Sequence, residues 1–376
     1  VARGLAVPAV VGTNIATTAI EEGALVIVDG TAGLLFVNPS QGTIDRFIEA
    51  RSQLSAIEQE LLQFLDVPAT TEDGWTVELS ANIELPLEVE AVLSHGADGI
   101  GLYRTEFLYL LRHGLPSEEE QYQAYKSIAE QMAPKSVILR TLDLGADKMP
   151  DRVPVEREAN PALGFRGIRL CLEHPDIFKV QLRAILRAST VGNLRIMFPM
   201  ISRLSEIQQA RAVLDEVKAD LTAEGIDFDD DMPVGIMIEV PSAALTAADL
   251  ASEADFFSIG TNDLIQYTLA ADRGNTGVAS IYDAYHPAIL RLIDMVVAAA
   301  HEHGIWVGVC GMMASDPWTA CLLLGLGLDE LSMSPIDIPE VKRTIRSMRR
   351  SDLSDLAQEV LSLSSSHEIH EYVKAR

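Results

Sequence analysis

The sequence predicts an α/β fold, a (β/α)8 TIM-type barrel, and three observations carry that prediction. From about residue 76 onward eight short apolar runs recur, TVELSANI, GIGLYR, VILRTLD, LRIMFPM, VGIMIEV, FFSIGTND, WVGVCG and LDELSMS. Helical patterns separate them, as neighbouring parallel strands require crossovers. Charged and polar residues gather at the C-terminal ends of the runs, the rim on which barrel active sites are built. A doubly wound open sheet shares the first two features.

Taken in chain order, the elements begin outside the barrel. At 376 residues the chain has room for one large barrel and a smaller piece. The runs PAVVGTN, ALVIVDG and LLFVNPS within residues 1–38 are short, β-rich and bounded by turn residues, and are too few for a domain. Ile44, Phe47, Ile48, Ile57, Leu61, Leu62 and Leu65 lie near helical spacing among charges, which predicts an amphipathic connecting helix over 43–65, followed by the linker PATTEDG. Between the third and fourth runs, 144–193 is longer than one crossover helix needs and predicts an inserted loop carrying NPALGFRGIR. The acidic EGIDFDDDMP reads as a solvated loop.

Composition narrows the chemistry. The net charge is −26, with 22 Arg against 7 Lys. Such a surface repels phosphate backbones, so nucleic acid is not an expected partner, and an anionic ligand has to be held by a local Arg cluster. No stretch of about 20 uninterrupted apolar residues and no basic-then-apolar leader occurs, so no membrane insertion is expected and the cytoplasm is the expected compartment. Cys171, Cys310 and Cys321 lack CxxC or zinc spacing and read as reduced thiols. Val1 rather than Met at the start points to a chain cut from something longer.

Six residues close the strand runs. Arg104 ends the second run, Arg140 the third, Glu239 the fifth, Asn262 and Asp263 the sixth, and Cys310 the seventh. In a parallel barrel these ends meet at one rim, and together they describe a site for a metal-bound, doubly anionic ligand. Glu239 and Asp263, on adjacent strand ends, can share one hard cation, and Mg²⁺ suits a two-carboxylate set completed by water and substrate. The competing reading makes each carboxylate a helix cap. Arg104 and Arg140 can instead serve ion pairs, with Glu106 and Asp143 close enough in sequence. Arg166, Arg169 and Arg273 are loop candidates for the same cluster, and Lys148 is a further one. Cys310 is followed by Gly311, which leaves room for a ligand beside the sulfur, and a thiol of ordinary pKa near roughly 8.5 can protonate a carbanion-like carbon. None of the eight histidines falls at a strand end, the GADGIG stretch lacks dinucleotide spacing, and no GxxxxGK[ST] loop exists.

The segments GIGLYRTEFLYL, ILRTLDLGADK, NPALGFRGIRL, GIMIEVPSAA, FFSIGTNDLIQYTLAADRGN, VCGMMASD and LLLGLGLDELSMS together resemble the C-terminal barrel of enzyme I of the bacterial sugar phosphotransferase system, over about residues 70–345. The resemblance implies that Arg104, Arg140, Arg166 and Arg273 hold the phosphate and carboxylate of phosphoenolpyruvate, that Asn262 assists at the phosphate, and that Lys148 shares the cleft. It implies Mg²⁺ on Glu239 and Asp263, and Cys310 as the donor that protonates C3 of the enolate to give pyruvate. It divides the chain into a phosphohistidine-domain remnant over 1–40, a linker helix and linker over 41–72, and the phosphoenolpyruvate-binding barrel over 73–376. The accepting histidine is expected to precede Val1, as is the part that binds a small phosphocarrier protein, and the barrel is expected to form a homodimer. A sensor or dimerisation module without transfer, and a dikinase or synthase-type barrel, are the alternatives. Met312 departs from the resemblance, which expects an acidic residue there, and Ser315 replaces a common Gly; the lost carboxylate bears on proton supply rather than on binding.

Overall fold

The computed structural model describes residues 7–110, 114–145 and 158–375, with the side chains of 55–58 left aside. Eight parallel strands close on themselves: β4 (Thr76–Ile83), β5 (Gly99–Arg104), β6 (Val137–Arg140), β7 (Leu194–Phe198), β8 (Val234–Ile238), β9 (Phe256–Ile259), β10 (Trp306–Val309) and β11 (Glu330–Met333). The closing contact is the parallel pairing of β11 with β4, and a two-residue strand, β3 (Ala69–Thr70), adds antiparallel to the outside of β4. Closure excludes the open-sheet reading. Each of the eight apolar runs contributes one strand, and the last six strands are shorter than their runs, the sixth most of all. β9 stops at Ile259, and Asn262 and Asp263 lie in the first turn of the helix Thr261–Leu269.

Alternation along the strands decides what faces the lumen. Leu79, Ala81, Ile196, Ile236, Phe257, Val309 and Leu331 point outward into the large core shared with the helices, whereas Leu102, Ile138, Met197, Met237, Phe256 and Cys310 form a separate cluster inside the barrel. Continuous apolar runs are what a sheet buried on both faces requires. Helix ends are set by local chemistry: Glu118–Met132 begins at a capping box in which Ser117 Oγ accepts from Glu120 N at 3.3 Å and Glu120 Oε2 accepts from Ser117 N at 2.9 Å.

Before the barrel, β1 (Val26–Asp29) and β2 (Leu34–Val37) form an antiparallel hairpin, and a helix spans Gln41–Leu61. PAVVGTN is not a strand; Val11 is 91% exposed and this backbone enters neither sheet. Between β6 and β7 the described chain holds the helices Ile168–Glu173 and Pro175–Ala188, with NPALGF forming a short 3-10 turn ahead of them. Lys148 lies outside the described residues.

Candidate active site at the barrel rim

A cavity of about 750 Å³ opens at the C-terminal ends of the strands. Its walls include Arg104, Arg140, Arg166, Glu239, Asn262, Asp263, Arg273 and Cys310, so these eight candidates converge there. Arg169 does not; from the helix Ile168–Glu173 it donates to the carbonyls of Leu163 and Gly164, each at 3.0 Å, and fastens the loop instead.

The arginines are ion-paired as well as convergent. Arg140 Nη2 meets Glu106 Oε1 at 2.7 Å and its Nη1 meets Asp143 Oδ2 at 3.0 Å, with all three side chains nearly buried. Arg166 grips the same Asp143 bidentately, Nε to Oδ1 at 3.0 Å and Nη2 to Oδ2 at 2.7 Å. Burial alone lowers the pKa of Arg140, but Glu106 and Asp143 reverse that and hold the guanidinium charged. Burial likewise opposes the charge on Asp143, but Arg140 and Arg166 outweigh it and lower its pKa. The ion-pair reading and the ligand reading therefore describe one arrangement, in which two carboxylates fix the rotamers of two guanidinium groups that still line the cavity. Arg104 is looser: it pairs with Glu84 at 2.6 Å and keeps about a third of its side chain exposed. Arg273 is exposed on the loop after the helix Thr261–Leu269.

Glu239 and Asp263 behave differently from caps. Glu239 is buried and accepts from Met200 N at 2.6 Å, across from the neighbouring strand end. Burial, with the nearby negative charges of Asp143 and Asp263, pushes it up to about 8, against the pull of Arg140 and Arg166. Asp263 touches Arg166 Nη2 through Oδ2 at 3.3 Å, while its Oδ1 is buried without a hydrogen-bond partner. The two are thus a carboxylate pair with less positive charge than it needs. Among the described residues no three His, Cys, Asp or Glu side chains converge as a metal cage.

Cys310 sits just past β10, 4% exposed, its Sγ 3.8 Å from the Ile259 carbonyl. Burial raises its pKa to about 11 despite Ser258 and Arg140, so the sulfur is a neutral thiol at pH 7. Gly311 lines the cavity beside the sulfur, and a Cβ there would also run into Thr261, so the glycine admits the first turn of the helix Thr261–Leu269 as well. Met312 is exposed at the cavity wall, and its N–H donates to Asn262 Oδ1 at 3.1 Å.

Three further residues line or brace the site and are not among the candidates singled out from the sequence. Asn82, on the lumen face of β4, donates through Nδ2 to the carbonyls of Cys310 and Ser332, both at 3.1 Å, and accepts from Ser332 Oγ at 2.6 Å. Tyr267 accepts from Arg166 Nη1 at 3.2 Å and donates to the Ala162 carbonyl at 2.5 Å. Glu84 positions Arg104. Strand alternation singles out Asn82 as a lumen residue; the contacts of Tyr267 and Glu84 depend on loops whose paths sequence does not encode locally.

Residues 58–350 match the family described as PEP-utilising enzyme, PEP-binding domain, and residues 1–33 match the PEP-utilising enzyme, mobile domain. The chain is 49% identical over 374 residues to the phosphoenolpyruvate-protein phosphotransferase of Priestia megaterium and 49% identical over 373 residues to that of Bacillus subtilis (strain 168). It is 48% identical over 372 residues to that of Staphylococcus carnosus (strain TM300). In each case it is covered almost completely, and it spans about 65% of the length of these relatives. With more than three quarters of its residues inside one family match, the chain belongs to the PEP-utilising enzymes, through their PEP-binding domain.

Proposed function

We propose that this chain is the phosphoenolpyruvate-binding and pyruvate-forming part of a phosphoenolpyruvate-protein phosphotransferase, an enzyme I. The observation that carries the reading is the clamp of Arg140 and Arg166 on Asp143, which presents two charged, fixed guanidinium groups to a cavity that also holds Glu239, Asp263 and a neutral thiol. Fixed cations suit a substrate with a phosphate and a carboxylate, because phosphoryl transfer is chiefly positioning and charge neutralisation. Arg104, Arg140, Arg166, Arg273 and Asn262 are the proposed substrate ligands. The bare Asp263 Oδ1 and the high pKa of Glu239 are what a hard cation would relieve, so Mg²⁺ on these two carboxylates fits the residues present. When bound, Mg²⁺ supplies charge neutralisation at the phosphate and enolate oxygens.

In the proposed reaction the bond between phosphorus and the enol oxygen breaks as the phosphoryl group passes to a histidine nitrogen. The enolate left behind takes a proton at C3 from the Cys310 thiol and becomes pyruvate, and the thiolate is reprotonated from water. Among the described residues no histidine lines the cavity. Transfer onward to a small phosphocarrier protein in sugar uptake, a cytoplasmic location and a homodimer belong to the same proposal, as do the boundaries 1–40, 41–72 and 73–376. A sensor without transfer and a dikinase or synthase barrel are less favoured, since all three relatives named above are phosphotransferases. No described helix is long and apolar enough to cross a membrane.

The proton step can be tested without an acceptor. Pyruvate incubated with the protein and Mg²⁺ in D₂O should gain deuterium at its methyl group, followed by NMR, and Cys310→Ala should slow this by at least about 10²-fold while still binding pyruvate. Equal exchange in the two proteins would remove Cys310 from the reaction.

A further inference from the structure

The opposite end of the barrel lumen contains a feature that the rim chemistry does not use. Glu330 on β11 is in direct parallel register with Glu78 on β4, and both project from the lumen face of adjacent strands. Like charges side by side on one sheet face destabilise it, and burial multiplies the cost. Glu330 is 2% exposed, and neither of its carboxylate oxygens has a hydrogen-bond partner. The Ser80 hydroxyl, fully buried next along the same lumen face, lies beside this carboxylate yet makes no hydrogen bond of normal geometry. Native interiors rarely leave three such atoms bare.

The surroundings make space for the carboxylate rather than neutralise it. A Cβ on Gly308 would come within 2.5 Å of Glu330 Oε2, and one on Gly101 within 2.5 Å of the Ser332 side chain and 2.7 Å of Glu330 Oε1, so glycine on β10 and β5 leaves the room this face needs. Ser136 Oγ reaches Glu78 Oε1 at 3.3 Å. The nearby cation is Arg195 on β7, but its guanidinium lies 5.1 Å over the Trp306 ring, which stacks on Phe256 at 4.6 Å, and it forms no ion pair with either glutamate. Two carboxylates and one offset arginine leave one negative charge over, among bare carboxylate and hydroxyl oxygens.

We infer that Glu78, Glu330 and Ser80 form a second ligand site at the N-terminal end of the lumen, which takes a monovalent hard cation of the K⁺ or Na⁺ class. All its protein donors are oxygen, the preference of hard cations. The single surplus charge matches a monovalent ion, and Glu78, half-buried at the barrel mouth, gives the entry path.

The test uses the whole chain at pH 8 without Mg²⁺ or substrate. Thermal unfolding in KCl and in NaCl is compared with choline chloride at equal ionic strength, since choline is too large to enter. At least one of the small cations should raise Tm by several degrees over choline, because a ligand that binds only the folded state stabilises it by mass action. Glu330→Gln and Glu78→Gln should each abolish the difference, whereas Asp263→Asn at the rim should keep it. Equilibrium dialysis with Rb⁺ should find one ion per wild-type chain and none in Glu330→Gln. Glu78→Gln, at a half-exposed position, keeps the test available if Glu330→Gln fails to fold. Identical Tm in all three salts, or a shift that survives Glu78→Gln, would overturn the site; the first result would mean that the two carboxylates share a proton instead.

Discussion

Arg104 and Arg140 serve one proposed ligand from different energetic positions, and the difference makes them separable. The Arg104–Glu84 pair is about a third exposed on its arginine side, and pairs of that kind contribute about 0–1 kcal/mol. Arg104→Ala should therefore leave stability nearly intact while phosphoenolpyruvate affinity falls by about 10- to 150-fold, the worth of a hydrogen bond to a charged group. Arg140→Ala leaves buried Glu106 without its cation and Asp143 with Arg166 alone, and should cost about 3–5 kcal/mol on urea unfolding in addition to the lost affinity. Equal unfolding midpoints for the two variants would contradict the buried clamp. These arginines were legible in the sequence because a charge closing an apolar strand run has no core use. Tyr267 and Glu84 were not, because their importance lies in contacts with Arg166 and Arg104 that only the folded loops create.

Elements held by long-range contacts give the next scale. Buried Lys342, on the helix Ile338–Arg346, donates to the carbonyls of Leu65 at 3.2 Å and Gly96 at 2.9 Å, and so ties the end of the leading helical segment to the barrel. Lys342→Met keeps the length but leaves both carbonyls without this donor, and should cost about 1–3 kcal/mol and speed proteolysis around residue 65. Unchanged cleavage would show that the tether is unimportant. Asp73 links the turn before β4 to the helix Arg350–Ser362: it accepts from Arg350 N at 2.9 Å and from Thr71 Oγ1 at 2.6 Å, and these bonds lower its pKa to about 2. A depressed folded-state pKa gives stability that is present above the unfolded value near 3.8 and is lost as pH falls through about 2. The stability gap between wild type and Asp73→Asn should thus shrink between pH 4 and pH 2, and a constant gap would contradict the assignment. Barrel strands were legible at this scale because burial on both faces writes itself as an unbroken apolar run. PAVVGTN looked alike and failed, since β propensity needs a partner strand and its described residues have none.

At the scale of the whole molecule, a chain of net charge −26 places Arg104, Arg140, Arg166 and Arg273 around one cavity at the rim. That contrast is the central physical fact: the general field repels an anion, so affinity has to come from short-range charge-assisted hydrogen bonds and from metal at the carboxylate pair. Closure of the sheet was readable from eight runs and their crossovers, but the lower lumen was not. Glu78 and Glu330 sit 252 residues apart, and only the β11–β4 pairing that closes the barrel brings them side by side. The proposed rim site is tested most directly by isothermal calorimetry of phosphoenolpyruvate with Mg²⁺ and with excess chelator, on wild type and Asp263→Asn. Binding should be clear with Mg²⁺ in wild type and should weaken at least about tenfold on chelation or in the variant. Equal affinity with and without the metal, unchanged in Asp263→Asn, would contradict the assignment of Glu239 and Asp263 and with it the proposed site.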